Sequence, residues 1–206
     1  DLAYKLFGEE KYFEAITELK RLQYFDKENQ YTFQSNLLIG KSYKAGAKFD
    51  DAIKYFVIAE MNAANDDDYF ASKILNARTN ILRRTTKQAE RILNDLMDDS
   101  KFISKIKETK YWRGWTYIFS DEWDKAYEMF ATDNIDTALA SFCKNIDEEM
   151  YNEKFAKYSS YLIPGLGQFY TGEYISGVLS LGWNILFGYL TITAFAEDRI
   201  FDGIVV

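Results

Sequence analysis

Histidine is absent from all 206 residues, and cysteine occurs once, at Cys143. Histidine-based triads, zinc sites of histidine and cysteine, and a disulfide within the chain are therefore excluded. A lone cysteine reads first as a small buried apolar side chain. A reactive thiol or lipid anchor is the alternative. A basic surplus is also missing: 25 Lys and Arg face 32 Asp and Glu, a net charge of -7. Such a surface does not suit a phosphate backbone, so no nucleic-acid partner is expected. Neither a nucleotide loop nor a nucleophile elbow is present. Gly165 and Gly167 lack the third glycine and the preceding strand of a dinucleotide fingerprint. Glu148 and Glu149 are adjacent and point apart on a helix, so they do not form an acid–base pair. No catalytic residue, no metal site and no cofactor is expected.

Proline occurs once, at Pro164, and seven of the eleven glycines fall in the last 43 residues. Charge is distributed just as unevenly. From Tyr158 to Ala196 the only charged residue is Glu173, and Tyr174 to Ala196 carries none. Those 23 residues make roughly 34 Å of helix, enough for a bilayer core of about 30 Å. The chain therefore reads as an all-α protein: helical repeats over 1–133, a helical connector over 134–157, and a membrane segment over 158–206. A soluble helical protein with an apolar core helix is the competing reading.

Residues 1–133 repeat. Ala15, Ala52, Ala89 and Ala126 are each 37 apart. Four residues later stand Leu19, Phe56, Leu93 and Phe130; three before stand Tyr12, Phe49, Thr86 and Trp123. Twelve before, each unit has a small residue: Ala3, Gly40, Ala77 or Gly114. Small residues let two helices approach closely, and the large ones fill the space beside the contact. Helices are expected at 1–9, 11–25, 31–46, 49–62, 68–83, 86–98, 101–119 (broken near Lys107), 122–132, 134–147 and 148–162. Asp51, Asp121 and the run Asp66, Asp67, Asp68 fall near helix starts, where carboxylates suit free N–H groups. The aspartate run lacks the spacing and glycine of a calcium loop.

The pattern resembles the tetratricopeptide repeat. Gly40, Tyr43, Phe49, Ala52, Phe56 and Ala59 carry the likeness in the second unit, and Gly114, Tyr117, Trp123, Ala126 and Phe130 in the fourth. The first unit matches mainly in its second half, and the third is degenerate. The period of 37 exceeds the family's roughly 34, and no unit has the terminal proline. An ordinary bundle of amphipathic helices is the alternative. The resemblance implies a helical-hairpin solenoid that stacks its hairpins and binds protein or peptide partners on its first helices. The partner-binding positions would then hold Tyr4, Lys41, Lys44, Arg78 and Trp115. Lysine, arginine and aromatics suit an extended peptide of acidic character. They do not reproduce the Lys/Asn set with which chaperone-binding members clamp a terminal carboxylate.

Ahead of the apolar run lies PGLGQFYTG. Pro164 should end the preceding helix, and Gly165 and Gly167 allow backbone angles that other residues avoid. Gln168, Thr171 and the Tyr170 hydroxyl are expected to satisfy irregular backbone, with Gly172 closing the turn. Tyr158, Tyr161, Tyr170 and Tyr174 suit an interfacial belt, and Glu173 a charge at the membrane edge. The block resembles the turn opening C-terminal membrane hairpins, including those of some tetratricopeptide-bearing bacterial envelope proteins and of small two-transmembrane-segment domains. In such hairpins a second crossing follows; here it would begin near Ile200. The chain looks cut at both ends.

Within the run, Gly177, Ser180, Asn184, Gly188 and Thr191 form a small, polar stripe suited to contact with another membrane helix, or are tolerated singly. Lys154 and Lys157 before the run and Arg199 after it do not decide its orientation. The envelope resemblance places the repeats outside the cytoplasm, on the periplasmic side. The expected function is a membrane-anchored protein-interaction scaffold in assembly of an envelope complex. The alternative is a structural subunit of an oligomeric membrane machine or channel, homo- or hetero-oligomeric through the membrane helix.

Overall fold

A computed structural model describes residues 2–149 and 153–197. Among these residues all regular structure is helical, in twelve α-helices and two short 3-10 turns. Two compact units divide the chain, Asp1–Glu148 and Glu149–Val206. The stretch 134–157, set apart by the sequence as a connector, is thereby shared between them. The expected start of a second crossing near Ile200, and Arg199, lie outside the described residues.

The first unit contains four hairpins in succession: α1 (Leu2–Gly8) with α2 (Tyr12–Phe25), α3 (Thr32–Ala45) with α4 (Phe49–Met61), α5 (Asp66–Leu82) with α6 (Thr86–Asp98), and α7 (Ile106–Ile118) with α8 (Trp123–Ala131). Each helix packs on the next. The break expected near Lys107 falls just before Ile106, where a 3-10 turn, Ser100–Lys105, inserts the buried Phe102 against Phe70. The second helices begin at Tyr12, Phe49, Thr86 and Trp123, the residues that recur at spacing 37.

One tight turn is used four times. Glu10, Ala47, Arg84 and Asp121 all have positive φ, between 55° and 65°. The following N–H groups, of Lys11, Lys48, Thr85 and Glu122, donate to the carbonyls of Leu6, Tyr43, Asn80 and Tyr117 at 2.8–3.0 Å. Such a left-handed residue ends a helix by turning its last carbonyls back onto the chain. Asp121 is therefore the left-handed residue of its turn and not a cap. Among α2 to α8 only α5 receives a side-chain cap, the Asp68 N–H donating to Asn65 Oδ1 at 2.9 Å, with the three aspartates in its first turn. Asp66 and Asp67 pair with Lys101 and Lys105.

The four period alanines are fully buried, as are Phe56, Leu93 and Phe130. A Cβ at Gly40 would lie 2.6 Å from the Phe56 ring, and one at Gly114 would lie 2.5 Å from Phe130. The other two hairpins pair Ala3 with Leu19 and Ala77 with Leu93 in their cores. Glycine thus goes with phenylalanine and alanine with leucine, a pairing of sizes that conserves volume in each core. The third hairpin lacks the aromatics at two repeat positions. There Asn80 is buried, donating to Asn76 and accepting from the Thr85 hydroxyl at 2.7 Å, so its polar groups are matched.

After α8 the chain makes a 3-10 turn, Thr132–Asn134, and enters α9 (Thr137–Glu149). Ala140 and the fully buried Cys143 join the core of Phe130 and Ala126. Burial raises the Cys143 thiol above its ordinary range, as befits an apolar filler.

The second unit contains α10 (Glu153–Leu162), α11 (Leu166–Tyr170) and α12 (Tyr174–Ala196). Among the described residues, α12 is the one helix long and apolar enough to cross a bilayer. Its large side chains are exposed except for the half-buried Leu181, and only Gly177 and Ala194 are buried, so it is not a packed core helix. The turn before it differs from expectation. Residues 166–170 form a short helix instead of irregular backbone. Gly165 (φ 94°) and Gly172 (φ 81°) take the left-handed positions. Gly167 is needed for space, since a Cβ there would collide with Ser160 Oγ and the Ala156 carbonyl.

The volume match in the hairpins is testable by thermal or urea denaturation. Gly40→Ala should cost about 1–3 kcal/mol. Adding Phe56→Leu recreates the Ala–Leu contact of the neighbouring hairpins and should recover at least about 1 kcal/mol relative to additivity. Strict additivity of the two changes would contradict it.

Candidate functional site

First helices supply the site. Lys44 on α3, Arg78, Ile81 and Leu82 on or beside α5, and Tyr111, Trp112, Trp115 and Phe119 along α7 line a cavity of about 270 Å³. Tyr111, Trp115 and Phe119 are four residues apart and share one helix face. They meet edge to face, Tyr111 to Trp115 and Trp115 to Phe119 both at 6.4 Å between ring centres. The Arg78 guanidinium lies 4.2 Å from the centre of the Trp112 ring. At the rim, Arg84 stacks on Phe119 at 4.5 Å and donates to its carbonyl.

The electrostatics are unbalanced. Neither Lys44 nor Arg78 has a carboxylate at ion-pair distance among the described residues. Burial, reinforced by the Arg78 charge, brings the Lys44 ammonium down to about 8 from its ordinary 10.5. Trp115 Nε1 is buried with no acceptor. Two cations and a buried, unmatched indole N–H thus lie among aromatic rings.

Of the five positions expected to face a partner, Lys44, Arg78 and Trp115 come together here. Tyr4 lies elsewhere, exposed beside Leu19, Leu22 and Tyr31 in a concavity of about 520 Å³. Lys41 is half-buried and lines neither. Trp112, Tyr111 and Phe119 were missed by the repeat alignment. Helical spacing from Trp115 would have found Tyr111 and Phe119, and the 37-residue period links Phe119 to Leu82.

The membrane-side positions fall into two groups. Gly177 is buried under Phe169 of the same chain, with ring atoms 3.1 Å from where a Cβ would stand, so it meets its own turn and not a neighbouring helix. Nothing within 4 Å fills the space at Gly188, and Asn184 is exposed, its amide donating to the Ser180 carbonyl at 2.8 Å. Ser180 and Thr191 are half-buried. In the turn, the Thr171 hydroxyl donates to the Gln168 carbonyl at 3.1 Å as expected of it. Gln168 Oε1 instead is buried without a donor, and the Gly167 N–H goes to Ser160 Oγ, a residue the sequence did not single out. Tyr170 packs its ring on Phe155 at 4.8 Å.

No family model, no curated protein and no solved structure matches this chain. Among the described residues no group of three metal-ligating side chains exists.

Lys44 predicts a sign. Its folded value lies below its unfolded one, so between about pH 8 and 10.5 the unfolded chain binds the proton more tightly. Its charge therefore costs stability below pH 8, and that cost fades as pH rises to 10.5. Lys44→Met should stabilise the fold at neutral pH by about 1–2 kcal/mol, allowing for partial solvent screening. The gain should vanish above pH 10.5, as read from melting temperatures across that range.

Proposed function

We propose that this chain is a non-enzymatic, membrane-anchored scaffold, its hairpins a tetratricopeptide-like solenoid that docks a protein partner through the Lys44, Arg78 and Trp115 cavity. The observation that carries the reading is a pair of cations with no counter-ion among the described residues, set against four aromatic rings. A partner segment with a carboxylate beside a large apolar side chain would neutralise the pair and fill the cavity. The repeated turn and the volume-matched hairpins support the solenoid, as α12 supports the anchor. By its resemblance to envelope proteins, the scaffold serves assembly of an envelope complex with its repeats on the periplasmic side.

Selection of random peptides on the full chain in detergent tests the docking reading. The retained sequences should place Asp or Glu next to Leu, Phe or Trp. Arg78→Glu should weaken their binding on the order of tenfold or more. Retained peptides without acidic residues, or an unaffected Arg78→Glu, would refute it.

A second reading, a subunit of an oligomeric membrane machine, is favoured by one observation: Asn184 and Gly188 lie exposed on an apolar helix. Polar groups in lipid seek a neighbouring helix. Disulfide crosslinking of Asn184→Cys in membranes should give a homotypic dimer on that reading, and none if α12 is only an anchor.

A further inference from the structure

We propose that α10 is an interfacial helix, lying along the bilayer surface with Tyr158, Tyr161 and Leu162 in the headgroup–acyl boundary and Lys154 and Lys157 on anionic lipid phosphates. The proposal rests on α12 spanning the bilayer.

The helix is two-faced by packing. Ser159 is buried and Ala156 and Ser160 are half-buried, with Ser160 Oγ accepting the N–H of Gly167 on α11. The opposite face is bare: Tyr158 is 67%, Tyr161 76% and Leu162 82% exposed. Lys154 and Lys157 are exposed beside them and form no ion pair among the described residues. Between Glu153, which opens α10, and Glu173, which precedes α12, Lys154 and Lys157 are the only charged residues. Tyrosine and lysine around an apolar side chain are the residues that settle at a membrane–water boundary.

Geometry sets the level at which α10 is held. Gly165 abuts the backbone of Gly177, in the first turns of α12, and Phe169 lies over the same glycine. Gly167 is wedged against Ala156 and Ser160 of α10. The short α11 is therefore pinned to α10 on one side and to the start of α12 on the other. Through α11, α10 is thus tied to the end of α12 that Glu173 marks, and with α12 across a bilayer its bare face of tyrosines and lysines would lie near the headgroups.

Site-directed spin labelling of the full chain in phosphatidylglycerol-containing vesicles tests this. Cys143 is fully buried and should take no label. Labels at Tyr158→Cys, Tyr161→Cys and Leu162→Cys should be more accessible to oxygen than to a water-soluble nickel complex. Asp124→Cys, on the exposed surface of the repeats, provides the aqueous reference, and Trp183→Cys reports on α12. Lys154→Glu with Lys157→Glu should abolish the oxygen preference at position 162 and leave position 183 unchanged. The proposal is overturned if positions 158, 161 and 162 resemble position 124 while 183 is embedded in lipid. It is equally overturned if they are shielded from both reagents, the result of a protein covering this face. If position 183 itself resembles 124, the spanning reading fails, and this proposal falls with it.

Discussion

Two helices can lie close only where one has no bulk to oppose the other. In two hairpins of the first unit a glycine on the first helix lies against a phenylalanine on the second, and in the other two an alanine and a leucine share the core, so the sizes compensate. Helices of seven to seventeen residues have little stability alone. Their burial against one another supplies what propensity does not. The same contact sets the angle at which the chain must return. That return is made by one left-handed residue and one backbone hydrogen bond, repeated every 37 residues. The site depends on this regularity, because it keeps α3, α5 and α7 adjacent enough for their side chains to share a cavity.

Within that cavity, burial works against stability. Lys44 loses solvation and sits near Arg78, with no acid to repay it. A chain selected for stability alone would place an apolar side chain there. The aromatic rings offset part of that cost, since Arg78 stacks on Trp112.

Before α12, the helix long and apolar enough to cross a bilayer, a different constraint governs. Buried backbone groups without partners cost several kcal/mol. The turn before α12 meets this by closing on itself. Phe169, Thr171 and Gly172 donate to Gly165, Gly167 and Phe169, and Glu173 donates to Gln168 at 2.8 Å. Gly165, Gly167 and Gly177 let the three helices approach without Cβ atoms in the way. The turn is thus a packed object, and its glycines serve space as much as flexibility.

Much of the repeat architecture was legible in the linear order of residues. The alanines at spacing 37, their small and large companions and the helix starts at Tyr12, Phe49, Thr86 and Trp123 follow from periodic burial, which leaves a mark on residue type. The uncharged run was equally plain, because bilayer-length helices need about twenty apolar residues and tolerate few charges. What was not legible depends on atoms far apart in the chain. The third hairpin lost its aromatics yet kept its turn, since backbone hydrogen bonds ignore side-chain identity and the Asn80 network replaced the packing. Lys41 and Lys44 are equivalent as letters, but only Lys44 lies in the cavity, a distinction made by helix rotation. Likewise Gly167, expected to supply an unusual backbone angle, supplies steric room, while Gly172 takes the left-handed angle, because room and φ are set by neighbours in space. Sequence alone determined the helix period, the hairpin count and the apolar span, each a matter of local pattern; tertiary packing decided which cations were left unpaired and which glycines were crowded, because solvation and contact are set by the surrounding helices.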